Sequence, residues 1–149
     1  MSEFSDEHRE MYLRSGGAQG HIMDLTDRGG HAFTTHCLIK VTGRKSGQTR
    51  IVPLIYGDFG GEVVIVASKG GADQHPEWYL NLTAAPEVDF QIATQAFRAT
   101  WREPEGEERH KVWDFMCRAF PPYLNYQKAT ARHIPLVMMT PTAAIDVFR

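Results

Sequence analysis

The chain has 149 residues, of which 42% are hydrophobic and 23% are charged, and its formal net charge is −2. This size fits one globular domain with a hydrophobic core. No run of about 18 apolar residues occurs, so no membrane span is expected, and the charged N-terminus lacks the apolar core of a secretory signal. Cys37 and Cys117 each lie in an apolar local pattern and are interpreted as reduced core thiols of a cytoplasmic protein.

The charges are unevenly distributed along the chain. Residues 28–57 contain no Asp or Glu but carry five cations, whereas acidic residues concentrate at the N-terminus and in "REPEGEER". A local basic segment in a mildly acidic protein favours one anionic small molecule over a nucleic-acid surface. The alternative is that these cations are solvated turn residues.

The first half of the chain predicts a helix followed by strands. Residues 3–14 have helical periodicity, and the Gly-rich residues 15–30 are predicted to be loop. From residue 32 the pattern is that of β-structure. Three strands are predicted at "AFTTHCLIKV", "QTRIVPLIYG" and "EVVIVAS", joined by a turn at "GRKSG" and a hairpin loop at "DFGG".

The second half predicts short helices between further strands. Residues 75–84 form a short helix with Pro76 in its first turn. Two strands are predicted at "EVDFQI" and "QAFRATWRE", an amphipathic helix at "GEERHKVWDFMCRAF", a helical turn or two at "YLNYQKATAR", and two final strands at "IPLVMMTP" and "AAIDVF".

Together these elements predict a mainly β (α+β) fold. We expect six to seven mostly antiparallel strands in a barrel, with two to three peripheral helices. Residues 1–27 are expected to be an N-terminal helix and loop outside the barrel domain, which covers residues 28–149.

Two glycine-containing basic loops are candidate anion sites. In "TGRKSGQTR", Arg44, Lys45 and Arg50 supply donors suited to phosphate or carboxylate. This is not a Walker motif, because the order of Gly, Lys and Ser/Thr differs and no helix follows. Taken alone, the loop is equally consistent with an ordinary basic hairpin.

The second loop, "ASKGG", follows the same pattern. Ser68 and Lys69 end a predicted strand, and Gly70 and Gly71 expose backbone N–H groups shortly before a helix N-terminus. Trp78 on that helix is either a wall for a planar ring or ordinary core, and Asn81 shares its face.

A third candidate is the aromatic series in "FPPYLNY". Phe120, Tyr123 and Tyr126 recur every three residues and would share one helix face. They are either a core stripe or the wall of a substrate pocket that offers phenol hydroxyls. The seven histidines are scattered without metal-ligand spacing, so no metal site is expected.

Three blocks together, "TGRKSGQTRIVPLIY", "VVIVASKGGADQHPEWYLNL" and "FPPYLNYQKATARHIPLVMMTP", resemble the deazaflavin-dependent nitroreductases. These are actinobacterial reductases that use coenzyme F420, an 8-hydroxy-5-deazaflavin, on a split β-barrel. The likeness covers about residues 35–142. One departure is Phe120, which stands where the family has the first tyrosine of a Tyr-Pro-Pro-Tyr pattern, so one substrate-side hydroxyl is lost.

The resemblance implies roles for individual residues. The residues implied to bind the coenzyme are Arg44, Lys45, Arg50, Pro53, Leu54, Ala67, Ser68, Lys69, Gly70, Gly71, Trp78 and Asn81. The residues implied to act on the substrate are Ser68, Tyr123 and Tyr126.

The expected activity is hydride transfer from the reduced deazaflavin to an enone, quinone or nitroaromatic acceptor. An FMN-dependent oxidoreductase of the same barrel group and a non-catalytic deazaflavin carrier are the alternatives. The expected assembly is a monomer or homodimer in the cytoplasm, without nucleic acid. A lipophilic quinone would bring the protein to a membrane at least transiently.

Overall fold

The structure is a computed structural model that describes residues 3–149. Its helices are α1 (Glu3–Arg14), α2 (Glu77–Thr83), α3 (Gly106–Ala119) and α4 (Pro122–Lys128), with a 3-10 turn at Thr26–Arg28. Its strands are β1 (Ile22–Met23), β2 (Thr34–Thr42), β3 (Thr49–Phe59), β4 (Glu62–Val66), β5 (Glu87–Ile92), β6 (Gln95–Arg102) and β7 (Leu136–Ile145).

Strands β2 to β7 close into an antiparallel barrel. They follow the order β2-β3-β4-β7-β6-β5, and β5 pairs back onto β2. The short strand β1 pairs with β2 outside this ring. The predicted mainly β architecture with peripheral helices is confirmed.

Alternation along β4 divides the hydrophobic residues into an inner and an outer core. Val63 and Ile65 lie inside the barrel with the side chains of β2, β5 and β7. Val64 and Val66 lie on the outer face, where they pack against side chains of α3 and α4 such as Met116. Because successive strand residues face opposite sides, burial of both faces explains the continuous apolar run of this strand.

Three details differ from the sequence predictions. The last two predicted strands are one strand, β7, which continues through Pro141 because the pairing with β6 shifts register between Arg98 and Ala99. Four α-helices occur in residues 3–149 instead of two to three, because "PYLNYQK" forms α4. The predicted loop at 15–30 contains β1, which is too short to leave a periodic signal.

The first half of β3 has one unpaired edge, and this opening positions the site. Residues 49–55 of β3 pair with β2, whereas pairing with β4 covers only residues 56–59 in the described barrel. Pro53, which has no N–H to donate, lies in this half-open segment. Helix α1 packs against β3. The Tyr12 hydroxyl of this helix also donates to His36 O of β2 (3.0 Å) and accepts from Ala93 N (2.7 Å).

Candidate functional site

Two cavities lie side by side along the half-open segment of β3. The first, called the aromatic pocket, has a volume of about 340 Å³. It is lined by Phe4, Ser5, His8, Leu25, Arg28, His36, Pro53, Leu54, Ile55, Val66, Ser68, Gly70, Phe120, Tyr123 and Tyr126. It therefore combines residues from all three sequence blocks with residues of α1, at a size typical of small-molecule sites.

The second cavity, called the cationic cleft, has a volume of about 870 Å³. Its lining includes Arg9, Leu13, Thr49, Arg50, Ile51, Val52, Lys69, Pro76, Glu77, Trp78, Asn81 and Arg149. Four cationic side chains thus face one acidic side chain, Glu77. Cations concentrated in a concave, partly apolar wall favour an anionic ligand.

Helix α1, strand β3 and the loop after β4 line both cavities. In each of these elements, neighbouring residues line different cavities. In the loop after β4, Ser68 and Gly70 line the aromatic pocket, whereas Lys69 between them lines the cationic cleft. In β3 the change occurs between Val52 and Pro53. The side chains of Ser68 and Lys69 therefore line different cavities, and Gly70, whose φ is +54°, turns the backbone back to the aromatic pocket. A ligand with a flat ring and an anionic tail fits this arrangement.

The β2–β3 hairpin forms a third cavity of about 530 Å³, called the hairpin cleft, which contains Arg44 and Lys45. Asn81 lines both this cleft and the cationic cleft. Its Oδ1 accepts hydrogen bonds from the backbone N (3.0 Å) and Nη1 (2.9 Å) of Arg44. The predicted basic cluster is therefore divided between two neighbouring clefts, with Arg50 in one and Arg44 and Lys45 in the other.

An ion pair occupies the Arg44 guanidinium. Nη1 of Arg44 also donates to Oε2 of Glu77 at 2.8 Å, and the Glu77 side chain is 75% exposed. This hydrogen bond holds the pKa of Glu77 below its usual range. Because the pair faces water, it is weakly held and an incoming anion can replace it.

Three predicted residues are packed into the protein. Ala67 is fully buried, its N–H donates to Pro135 O (2.9 Å), and its carbonyl accepts from Arg132. Gly71 packs against α4, where a Cβ atom would lie 2.5 Å from that of Ala129. Trp78 belongs to the barrel core and also lines the cationic cleft.

The predicted aromatic face forms one wall of the aromatic pocket. Phe120 and Tyr123 are in edge-to-face contact with 5.0 Å between ring centroids, and Tyr126 lies 6.2 Å from Tyr123. Burial raises the pKa of Tyr123, so its hydroxyl stays protonated and is a hydrogen-bond donor. Phe120 supplies only apolar contact here.

Sequence reasoning missed the α1 and β2 residues of the aromatic pocket. His8 and His36 are buried with their rings 4.8 Å apart, although 28 residues separate them in the sequence. Arg28, also in this pocket, lies with its guanidinium carbon 4.0 Å from the centre of the Phe4 ring. Only the tertiary packing of α1 brings these residues together, and no local pattern signals it.

Arg132 was missed as well, and it joins the two halves of the site. Its Nε donates to Ala72 O (3.1 Å), and its Nη1 donates to Ala67 O (3.1 Å) and to Nδ1 of His75 (2.9 Å). Thr130 nearby donates to Asp73. The chain that follows the tyrosine helix thereby holds the loop that carries Ser68 and Lys69.

Among residues 3–149, no group of three or more His, Cys, Asp or Glu side chains is placed to hold a metal ion. A barrel with a half-open strand, an aromatic pocket and an adjoining cationic cleft agrees with the class that the resemblance implies, the split-barrel oxidoreductases that bind a flavin or deazaflavin.

Comparison with known proteins narrows this class to one family. The family described as F420H(2)-dependent quinone reductase matches residues 5–141. An F420H(2)-dependent quinone reductase of Mycobacterium tuberculosis is 36% identical over 136 residues, which cover 89% of this chain and 87% of that protein. The chain belongs to the F420H(2)-dependent quinone reductase family.

Two solved structures agree with this assignment. One, described as an F420-H2-dependent reductase, is 43% identical and superposes with a TM-score of 0.64 over 70% of this chain and 92% of that one. Another, described as a domain-swapped dimer, is 38% identical with a TM-score of 0.67, covering 90% of this chain and 95% of that one. The predicted oxidoreductase activity, split-barrel fold and coenzyme F420 are confirmed, against the FMN and carrier alternatives.

Proposed function

We propose that this chain reduces a quinone bound in the aromatic pocket, with reduced coenzyme F420 held across the pocket and the cationic cleft. The observation that carries this proposal is the alternation of Ser68, Lys69 and Gly70 between the two cavities. One short loop then contacts both the flat and the anionic part of a single ligand.

The anionic tail is assigned to the two basic clefts. Arg50 and Lys69 lie in the cationic cleft, and Arg44 and Lys45 lie next to it in the hairpin cleft. Arginine provides a planar fork of donors for phosphate or carboxylate, and lysine provides a compact charge. Asn81 fixes the backbone and the guanidinium of Arg44.

The ring part is assigned to the aromatic pocket. Pro53 and Leu54 provide its wall on β3, and Ser68 and Gly70 provide its edge. Trp78 closes the neighbouring cleft. Of the residues implied by resemblance, Ala67 and Gly71 act by shaping the loop, because both are packed against other parts of the protein.

Hydride transfer from the coenzyme requires no strong catalytic base from the protein. Bound reduced coenzyme F420 supplies the hydride. Ser68, Tyr123 and Tyr126 line the pocket, and their hydroxyls donate hydrogen bonds to the acceptor oxygen, which gains negative charge as the quinone is reduced. A proton from one of these hydroxyls or from water completes the hydroquinone. The apolar side chains of Leu25, Val66 and Phe120 restrict water there.

The oligomeric state and the location of the protein are also part of the proposal. The relative described as a domain-swapped dimer favours a homodimer over a monomer, which light scattering after size exclusion tests. No helix among residues 3–149 is long and apolar enough to cross a membrane. The cytoplasmic location and the boundary at residues 27 and 28 stay predictions.

Binding of three ligands tests the proposal. We expect coenzyme F420 to bind more tightly than FMN and more tightly than its own riboside form, which lacks the phosphate and tail. Arg50→Gln and Lys69→Gln should weaken F420 about tenfold each at low salt, leaving the riboside unaffected. The matched control is Lys111→Gln on α3, outside all three cavities. Equal loss for F420 and riboside would disprove the assignment of the tail.

A further inference from the structure

His8 and His36 line the aromatic pocket without a role in the hydride chemistry described above. Nε2 of His8 lies 2.7 Å from Gly20 O, and Nδ1 of His36 lies 3.0 Å from Thr34 O. A carbonyl oxygen only accepts hydrogen bonds, so each of these ring nitrogens carries the proton. Both contacts fix the tautomer of the ring.

The fixed tautomers leave one bare ring nitrogen on each histidine. Burial lowers the pKa of both side chains, that of His36 to about 4, so both rings are neutral near neutral pH. In a neutral imidazole the second nitrogen has no proton and is an acceptor. Nδ1 of His8 and Nε2 of His36 are therefore acceptors.

Among residues 3–149, these two acceptor nitrogens have no hydrogen-bond partner, and they are not fully enclosed by protein. Neither nitrogen makes a hydrogen bond. The one fully buried side-chain nitrogen or oxygen without a partner in residues 3–149 is Nη2 of Arg132. The histidine nitrogens are thus not sealed, and the cavity that both residues line is the aromatic pocket.

The rest of the pocket lining mostly offers donors. Arg28 carries a cation, and Ser68, Tyr123 and Tyr126 carry hydroxyls, while none of the lining residues is acidic. Tyrosine and serine hydroxyls suit the carbonyl oxygen that is reduced. Bare imidazole nitrogens instead repel a carbonyl oxygen and attract an O–H group.

We propose that His8 and His36 form an acceptor pair that selects quinones bearing a ring hydroxyl. One of the two bare nitrogens accepts the single hydrogen bond that this hydroxyl can donate, while the hydroxyl donors that also line the pocket hold the reducible carbonyl. The two histidines are specificity-determining residues and transfer no proton. This inference rests on the proposed quinone reduction and adds the substrate class to it.

Three matched quinones test the selection. They are an unsubstituted naphthoquinone, one with a hydroxyl on the ring remote from the carbonyls, and its methoxy analogue, which has similar electronics but no donor. We expect kcat/KM for the hydroxyl compound to exceed that for the methoxy compound about three- to tenfold, the size of one hydrogen bond. A ratio near one in the unmodified protein would overturn the proposal.

Two substitutions separate recognition from structure. His8→Gln places an amide nitrogen near the position of Nε2, and His36→Asn places one near Nδ1, so each keeps the contact to the backbone. The acceptor of each variant is an amide oxygen displaced from the position of the bare ring nitrogen. The variant at the histidine that accepts from the hydroxyl should lower the hydroxyl-to-methoxy ratio toward one, and a ratio unchanged in both variants would overturn the proposal. His31→Gln is the control, because His31 contacts Arg118 O outside the pocket and should leave the ratio unchanged.

The remaining outcomes show which part of the proposal is wrong. If both variants slow all three quinones alike, the histidines are structural and the inference is wrong. If the ratio persists while the Kd of coenzyme F420 rises, the donor belongs to the coenzyme and the substrate assignment is wrong. If no quinone oxidises the reduced coenzyme, the proposed function is wrong. The acceptor pair is then tested separately by the direct binding of the hydroxyl and methoxy quinones, and equal affinities would show that the acceptor pair is wrong as well.

Discussion

Nη1 of Arg44 lies 2.8 Å from Oε2 of Glu77, so a cation assigned to the coenzyme already has an anionic partner. The same nitrogen also donates to Oδ1 of Asn81 at 2.9 Å. An anionic tail that reaches Arg44 must displace a carboxylate, and the two negative charges then repel each other. The Glu77 carboxylate therefore opposes binding of the anionic tail, although it does not contact the coenzyme ring.

Removing this competing charge should tighten binding. Glu77→Gln is expected to lower the Kd of coenzyme F420 about two- to fivefold at low salt, as surface ion pairs are weak. The gain should shrink as salt screens the charges. Fluorescence titration at two ionic strengths measures it. Glu107→Gln on α3 is the control, and weaker binding by Glu77→Gln would show that Glu77 supports the site.

The Tyr123 hydroxyl should affect turnover more than coenzyme binding. Tyr123→Phe removes a protonated donor from the aromatic pocket, and we expect kcat to fall roughly 100-fold, as for a lost oxyanion donor. The Kd of the coenzyme should change little. Tyr79→Phe is the matched control, because the Tyr79 hydroxyl contacts Glu103 outside the pocket. A larger effect on Kd than on kcat would contradict the assigned role.

Arg132 should act as a positioning residue for the loop after β4. Lysine at this position cannot reproduce the three hydrogen bonds to Ala67, Ala72 and His75. We expect Arg132→Lys to raise KM for both substrates about tenfold and to lower the free energy of unfolding by about 2 kcal/mol.

Hydrogen exchange distinguishes positioning from general destabilisation. In Arg132→Lys, amides of residues 67–75 should exchange faster while those of the barrel strands follow the change in global stability. Arg118→Lys on α3 provides the control for loss of an arginine. Uniform acceleration across the whole chain would argue against a local role.

Acid should destabilise the protein through His36. Its pKa is about 4 in the folded protein and 6.5 as the ordinary value, so the unfolded chain binds more protons between these values. Stability from this group is complete above pH 6.5 and is lost as pH falls toward 4, by up to roughly 3 kcal/mol. The rings of His8 and His21 shift in the same direction.

Denaturant unfolding between pH 7 and 5 measures this effect. This window lies above the range in which most carboxylates titrate. His36→Asn should flatten the dependence on pH because asparagine does not titrate. An unchanged slope in this variant would mean that another group controls the acid response.

The sequence predicted the elements whose signals are local. Helix α1 has the predicted bounds of residues 3 and 14. The basic and glycine-containing loops lie beside the cavities, and their role in binding the coenzyme stays a prediction. Strands β2 and β4 were predictable as continuous runs of apolar and β-branched residues, because both faces of these strands are largely buried. The division of Ser68 and Lys69 between two cavities was not visible, because it depends on where β4 ends.

Other features depend on contacts between distant parts of the chain. The sequence pattern predicted that a strand ends at Pro141. In the structure β7 continues through Pro141, because a register shift in the partner strand β6 accommodates the proline. Arg132 contacts residues about 60 positions earlier, and His8 meets His36 through the packing of α1. No periodicity or motif encodes such pairs, so the structure was needed to find them.

Single-turnover oxidation of the protein-bound reduced coenzyme tests the central claim most directly. Protein saturated with F420H2 is mixed anaerobically with a quinone, and the absorbance of the oxidised coenzyme is followed. We predict rapid formation of one oxidised coenzyme per site, slowed by Tyr123→Phe and unchanged by Tyr79→Phe. Oxidation no faster than that of the free reduced coenzyme would contradict the assignment of this chain as a quinone reductase.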